Sequence, residues 1–175
     1  LGGINLCLHE DERTTTFENL YSGGKRRQKL YAVSGAIGWG DIPEEWRQAP
    51  VVLLAPIAQE FSPELSAKFG DSLVGATMQG WLRGRDEANN VTFEPHPDLE
   101  TWLPNLDVVF MSEEDVLGDR EQMERYLHLA RLGVETRGSE GCVIYRGGES
   151  APIPVTPVEE VDPTGAGDIF AAAFM

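Results

Sequence analysis

The chain is predicted to be an α/β domain: an open, mostly parallel sheet with helices on both faces, preceded by a small β-hairpin. Three observations predict it. From Val51 onward, short β-prone runs alternate with helical patterns, an order that implies parallel pairing. Ahead of them, residues 14–33 read as two extended runs around Ser22-Gly23-Gly24. Near the end, Gly165-Ala166-Gly167 opens an apolar helical run, a glycine turn of the kind that sits where strands of such a sheet deliver their ligand.

Each element follows from its residues. Thr14 to Tyr21 and Arg27 to Val33 are the hairpin strands. Val51 to Ala55, Pro63 to Phe69 and Leu73 to Thr77 form a strand-helix-strand unit, and Asp107 to Met111 is a further buried strand. Arg120 to Leu132 places Met123, Tyr126, Leu127, Ala130 and Leu132 largely on one helical face, a core-packing stripe. Val134 to Arg137 and Cys142 to Tyr145 are short strands around Gly138-Ser139-Glu140-Gly141, and Pro152 to Val155 is a stiff linker into the glycine turn. Gly84 to Asn90 is a polar surface loop without assigned chemistry.

At 175 residues, with 41% apolar and 25% charged positions, the chain has the composition of one soluble globular domain. Its net charge of -15 argues against nucleic acid or an anionic membrane as partner, since both reward clustered Lys and Arg. An anionic nucleotide then needs a local positive site. Cys7 and Cys142 lack CxxC spacing and are expected as buried apolar residues in a reducing compartment; His9, His96 and His128 show no metal-ligand spacing. No run approaches the length of a membrane span, so a cytoplasmic location is expected. Leu1 at the start and Met175 inside an apolar helical run give the expectation of a chain cut at both ends, one domain over 1–175 with residues 14–33 as a hairpin region within it.

The chemistry concentrates in Asp162-Pro163-Thr164-Gly165-Ala166-Gly167-Asp168. Glycines remove the Cβ atoms that would block a ligand, so successive amides can converge on an anion at the positive end of a helix. Asp168 then has two readings. It is a first-turn carboxylate complementing the dipole, or it is the base that takes a proton from a substrate hydroxyl while the amides of Gly165, Ala166 and Gly167 hold charge on a transferring phosphoryl group.

That stretch resembles the second signature of the ribokinase-like (PfkB) carbohydrate kinases. Thr14 to Tyr21 with Arg26, Arg27 and Gln28, Ala55 to Glu60, and Gln79-Gly80-Trp81-Leu82-Arg83 are similar to one branch, the archaeal myo-inositol kinases. The resemblance implies a ribokinase-like fold in which the hairpin is a lid over the substrate. It implies ATP and Mg2+ as cofactors, with K+ as a further option, a glycine-turn anion hole, and Asp168 as catalytic base. It also implies that opening strands and a segment over the adenine lie outside this chain.

Further candidates gain meaning from that family. Gln79, Arg83 and Asn19 are substrate-binding candidates, with Glu60 a weaker one; Gln79 can give and accept hydrogen bonds to a polyol, and Gly80 permits close approach. The alternative for Gln79 to Arg83 is a loop-to-helix transition in which Trp81 fills the core. Thr136, Gly138 and Gly141 resemble the family's nucleotide loop, though a two-glycine turn explains the same residues without a ligand. Where relatives carry Asn-x-x-Glu, this chain has Ser112 and Asp115, shorter or weaker replacements. Asp115 is thus either an outer-shell Mg2+ residue or part of a helix N-cap begun by Ser112. Asp162 is a monovalent-cation candidate, and Lys25, Arg26, Arg27 and Lys29 are either a solvated hairpin tip or a phosphate contact.

The expected activity is phosphorylation of a hydroxyl on a small polyol or sugar, myo-inositol or a monosaccharide, with a nucleoside as alternative acceptor. A different class of function, a nucleotide- or polyol-binding module without catalysis, is the competing expectation. The partner expected is the small acceptor, and a second copy joined through the lid is an option.

Overall fold

A computed structural model describes residues 3–22, 25–156, 158–159 and 164–175. The expected hairpin is present: β1 (Thr16–Ser22) and β2 (Lys25–Ala32) pair antiparallel, with Asn19 opposite Gln28. The main sheet is built from β3 (Val51–Leu54), β4 (Leu73–Thr77), β7 (Val108–Met111), β8 (Gly133–Thr136), β9 (Cys142–Arg146) and β10 (Glu149–Ile153), in the order β10-β9-β8-β7-β4-β3. Four neighbours run parallel, from β3 through β4 and β7 to β8, while β9 and β10 complete the sheet antiparallel. A small hairpin, β5 (Arg83–Arg85) with β6 (Val91–Phe93), stands beside it.

The central strand shows why its sequence is continuously apolar. All four residues of β7 are buried, and because successive side chains alternate, Val109 and Met111 enter one core cluster while Val108 and Phe110 enter the other. The larger cluster lies under α1 (Leu99–Trp102) and α2 (Arg120–Leu129), with Met123, Tyr126 and Leu127 as the buried stripe of α2. Trp81 is fully buried there, donating its indole N–H to the Phe61 carbonyl at 2.8 Å. On the opposite face, α3 (Ala166–Phe174) lays Ala171 against the sheet, and Phe110 meets Phe170 and Phe174 edge-on at 6.1 and 5.3 Å. Helices therefore cover both faces, as expected.

Several local expectations need correction. Residues 152–155 are not merely a linker: Gly147 and Gly148, both at positive φ, turn the chain so that Glu149–Ile153 pairs with β9, and Pro152 is tolerated because β10 is an edge strand. The helix expected from Pro63 to Phe69 is a 3-10 helix capped by Ser62. Helix α2 stops at Leu129 because Ala130 turns extended at ψ 160°, releasing the chain into β8. Gly84 to Asn90 belongs to the β5–β6 hairpin and ties the first hairpin to the body, since the Leu30 amide donates to the Asn89 carbonyl and Arg85 donates to the Leu30 and Tyr31 carbonyls. Cys142 is buried, whereas Cys7 is exposed.

Candidate active site at the sheet edge

The carboxyl ends of β3, β4, β7 and β8 deliver the residues that follow them to one edge of the sheet. There, a cavity of about 340 Å³ is lined by Ala55, Pro56, Thr77, Gln79, Ser112, Asp115, Thr136, Gly167 and Asp168, among others. Gln79, Asp115, Thr136, Gly167 and Asp168, candidates from four separate stretches of sequence, thus share one enclosure.

The first turn of helix α3 borders that cavity through Gly167 and Asp168. Gly165 caps it in the left-handed region at φ 78°, a conformation glycine adopts without steric cost. Among the described residues, a Cβ placed on Gly165 or Gly167 would meet no atom within 4 Å. Asp168 stands in the first turn, exposed, and borders the cavity. Asp162 lies outside the described residues.

A larger cavity of about 870 Å³ opens toward the β1–β2 hairpin, lined by Arg27, Gln28, Gln79, Arg83, Asp115 and neighbours. It shares Gln79 and Asp115 with the first, so the two spaces meet at that pair. Arg83 donates to Gln28 Oε1 at 3.2 Å, Gln28 donates to Asn19 Oδ1 at 2.8 Å, and the Arg83 guanidinium lies 5.1 Å from the Phe17 ring centroid. Asn19 does not line the cavity; it reaches it through Gln28, a residue that sequence reasoning did not single out for the site. The side chains of Lys25 and Arg26 are outside the description, while Arg27 lines the cavity.

Asp115 is committed to the protein. Its Oδ2 accepts from the Ser112 backbone N–H at 2.7 Å and from the Ser112 hydroxyl at 3.2 Å, forming the expected cap, and its Oδ1 accepts from Gln79 Nε2 at 3.1 Å. Burial pushes its carboxyl above the ordinary value, against the bonds from Ser112 and Gln79 and the charge of Arg83, which lower it. Gly80 is required by packing: a Cβ there would sit 2.1 Å from the Pro56 carbonyl oxygen. Glu60 is buried and its carboxylate accepts from the Ile57 and Ala58 amides at 2.7 and 2.6 Å, which spends it on the turn rather than on a ligand.

The loop after β8 divides its candidates. Thr136 lines the smaller cavity. Gly138 has open space around it at φ 54°, but Gly141 is explained by packing, since a Cβ would fall 2.2 Å from the Ile153 carbonyl oxygen of β10. Beneath this loop lies a cluster that sequence reasoning missed. Glu135, side chain 1% exposed, accepts from Arg137 at 2.6 and 2.8 Å, from Arg120 at 3.2 and 3.4 Å, and from the Tyr145 hydroxyl at 2.7 Å. Burial raises its carboxyl, but the bonds from Arg137, Tyr145 and Arg120 prevail and hold it below the usual carboxylate value. A Glu between Val134 and Thr136 in an apolar strand was the available signal.

The enclosure fits the phosphate end of a donor: uncrowded glycines at a helix N-terminus, with Thr136 lining the same cavity. The fit to a protein-held Mg2+ is poorer. Among the described residues no three His, Cys, Asp or Glu side chains cluster to hold a metal, and Asp115 already accepts three hydrogen bonds.

The pfkB family carbohydrate kinase profile matches residues 89–175. A cytidine kinase of Thermococcus kodakarensis is 29% identical over 157 residues, covering 82% of this chain and 52% of that protein. An uncharacterized sugar kinase of Archaeoglobus fulgidus is 28% identical over 104 residues, 51% of this chain and 42% of its own length. The chain spans about half the length of these curated relatives. Among solved structures, a pyrophosphate-dependent kinase in the ribokinase family, complexed with a pyrophosphate analog and myo-inositol, matches at TM-score 0.74 and 20% identity, over 94% of this chain and 60% of that one. An uncharacterized sugar kinase from Pyrococcus horikoshii in complex with ATP matches at TM-score 0.65 and 22% identity, over 94% and 57%. A ribokinase from Thermotoga maritima gives TM-score 0.57 at 19% identity, over 91% and 55%. The fold is ribokinase-like.

Proposed function

Since the chain, through residues 89–175, belongs to the pfkB family of carbohydrate kinases, we propose that the protein transfers a phosphoryl group from ATP to one hydroxyl of a small polyhydroxylated acceptor. The observation that carries this reading is the convergence of Gly167, Asp168, Thr136 and Gln79 on one cavity that adjoins a larger one at Gln79. The larger cavity would hold the acceptor, with Gln79 and Arg83 binding it and Asn19 supporting Arg83 through Gln28. The smaller one would hold the reacting phosphoryl group, and the Thr136 to Gly141 loop would flank the donor.

In the reaction, an Asp168 carboxylate oxygen takes the proton of the acceptor hydroxyl as that oxygen bonds to the terminal phosphorus. The bond from phosphorus to the bridging oxygen breaks and the nucleoside diphosphate leaves. Amides of Gly165, Ala166 and Gly167 hold the charge of the transferring group, and they do so without reorganising because helix α3 fixes them. Mg2+ carried by the donor phosphates supplies charge neutralisation when bound, with Asp115 and Asp162 as the residues the family resemblance would associate with cations.

The acceptor class has two supports that point differently. A neighbouring fold is named for myo-inositol, and the Gln79 to Arg83 stretch resembles that branch; the cytidine kinase relative favours a nucleoside instead. Pyrophosphate is the alternative donor for the same reason.

The test is nucleoside diphosphate release from Mg2+-ATP, and phosphate release from pyrophosphate, by the protein with myo-inositol, ribose, fructose or cytidine. Turnover with one acceptor should fall by roughly 10²–10⁴-fold in Asp168→Asn, with donor affinity retained. Equal turnover in the variant would remove Asp168 as base. Tight ATP binding with no product for any acceptor would make the protein a binding module.

A further inference from the structure

An amide side chain offers a donor at one end and an acceptor at the other, and which end meets a ligand depends on what holds it. Gln79 is held by Asp115. Two of the three bonds on that carboxylate come from Ser112, through its backbone N–H and its hydroxyl, both on Oδ2. The remaining oxygen, Oδ1, receives Gln79 Nε2 at 3.1 Å. With Oδ2 taken up by the two Ser112 donors, Oδ1 is the acceptor left on this side chain, and the amide nitrogen of Gln79 turns toward it. Among the described residues nothing donates to Gln79 Oε1, and both cavities border this side chain. The backbone beneath is equally constrained, because Gly80 is packed against the Pro56 carbonyl.

We propose that Asp115 is a positioning residue that fixes the polarity of Gln79, turning its Oε1 to the acceptor cavity as a hydrogen-bond acceptor for a substrate hydroxyl. The proposal rests on the reading of these cavities as a kinase site and deepens it: the acceptor must carry a hydrogen-bond donor where Gln79 meets it. A keto, O-methyl or fluoro group at that position leaves Oε1 facing an acceptor and is rejected. Asp115 thereby replaces the family's expected role at this position, water-mediated metal binding, with control of substrate recognition.

Two measurements separate this inference from the function it rests on. The first needs no substrate. In the 15N–1H spectrum the Gln79 side-chain NH2, assigned by its loss in Gln79→Glu, should exchange with water at least about tenfold more slowly than in Asp115→Asn, where the partner no longer enforces one orientation. Equal exchange in the two proteins overturns the proposal whatever the enzyme does.

The second reads kinetics with the same four acceptors. Asp115→Asn should raise the acceptor KM about tenfold or more, with kcat within about threefold and donor KM unchanged, the pattern of lost ground-state binding. Gln79→Glu alone sets two carboxylates face to face and should also raise acceptor KM. Combining Asp115→Asn with Gln79→Glu restores a donor-acceptor pair, the amide at position 115 now donating to the carboxylate at position 79, and should return KM to within about threefold of wild type. The double variant and Gln79→Glu keep the test open if Asp115→Asn proves unfolded by thermal denaturation. A variant Asp115→Asn that lowers kcat and raises donor KM supports a metal or phosphate role and overturns the proposal, as does a folded double variant without rescue. If the exchange result holds and no acceptor reacts, the kinase reading falls while the positioning of Gln79 stands.

Discussion

The Tyr145 hydroxyl donates to Glu135 at 2.7 Å, so a residue of β9 completes the seat of a buried carboxylate that β8 carries into the sheet edge. The same carboxylate pins Arg137, the residue before the Gly138 turn, and Arg120, the first residue of α2. One acid therefore anchors the loop beside the candidate donor site and the helix that covers the adjoining core.

Glu135→Gln should destabilise the protein by about 2–4 kcal/mol, somewhat below the usual cost of breaking a buried ion pair because both arginines are partly exposed and can turn to water. Tyr145→Phe removes one neutral donor from a charged acceptor and should cost about 1–2 kcal/mol. Urea unfolding of the two variants checks both, and a Glu135→Gln protein as stable as wild type would show that the cluster contributes nothing to folding.

The same pair sets two limbs of the pH profile. Glu135 has its folded pKa below the ordinary 4.5, so its contribution is present above that value and is lost as pH falls through the folded one. Tyr145, raised by burial and by its bond to Glu135 from 10.0 to about 12, contributes below pH 10 and loses that contribution as pH rises toward 12. Asp115, raised by burial, has the opposite sign on the acid side and opposes the Glu135 loss there. Denaturation midpoints measured across pH should show Glu135→Gln with a flatter acid limb than wild type, and Tyr145→Phe with a flatter alkaline one.

Gly80 and Gly167 should separate packing from chemistry. Gly80→Ala forces a methyl to within 2.1 Å of the Pro56 carbonyl oxygen and should cost at least about 1–3 kcal/mol while displacing Gln79. Gly167→Ala meets no atom of the described residues within 4 Å and sits in a helix, where Ala is preferred by about 0.5–1 kcal/mol, so it should fold as well as wild type or better. Its methyl would still crowd the amide cradle, so phosphoryl transfer should drop at unchanged stability. Unimpaired transfer in Gly167→Ala would argue that the donor phosphates bind elsewhere.

Much of this was legible in the residues. The parallel strands announced themselves because burial on both faces requires an unbroken apolar run such as Val108-Val109-Phe110-Met111. The glycine turn was legible because Gly165 needs a left-handed backbone and Asp168 has no packing reason to be there. What stayed hidden depended on distant partners. Asp115 reads as a metal residue or a cap until Gln79, from another strand's end, is seen bonded to it. Glu135 looks misplaced in an apolar strand until Arg120, Arg137 and Tyr145 surround it. Pro152 and the Gly147-Gly148 turn were legible in principle, since an edge strand admits proline, but a short run after a turn is easily taken for a connector.

Arg83 sits at a mechanical junction. It begins β5, whose companion loop holds β2 through Asn89 and Arg85, and its guanidinium grips Gln28 and overlies Phe17 of the β1–β2 hairpin. The hairpin cannot swing away from the cavity without drawing this side chain along or breaking its bonds. One guanidinium thus both lines the cavity and fastens the hairpin beside it, so whatever disturbs Arg83 on the cavity side is also felt by the hairpin.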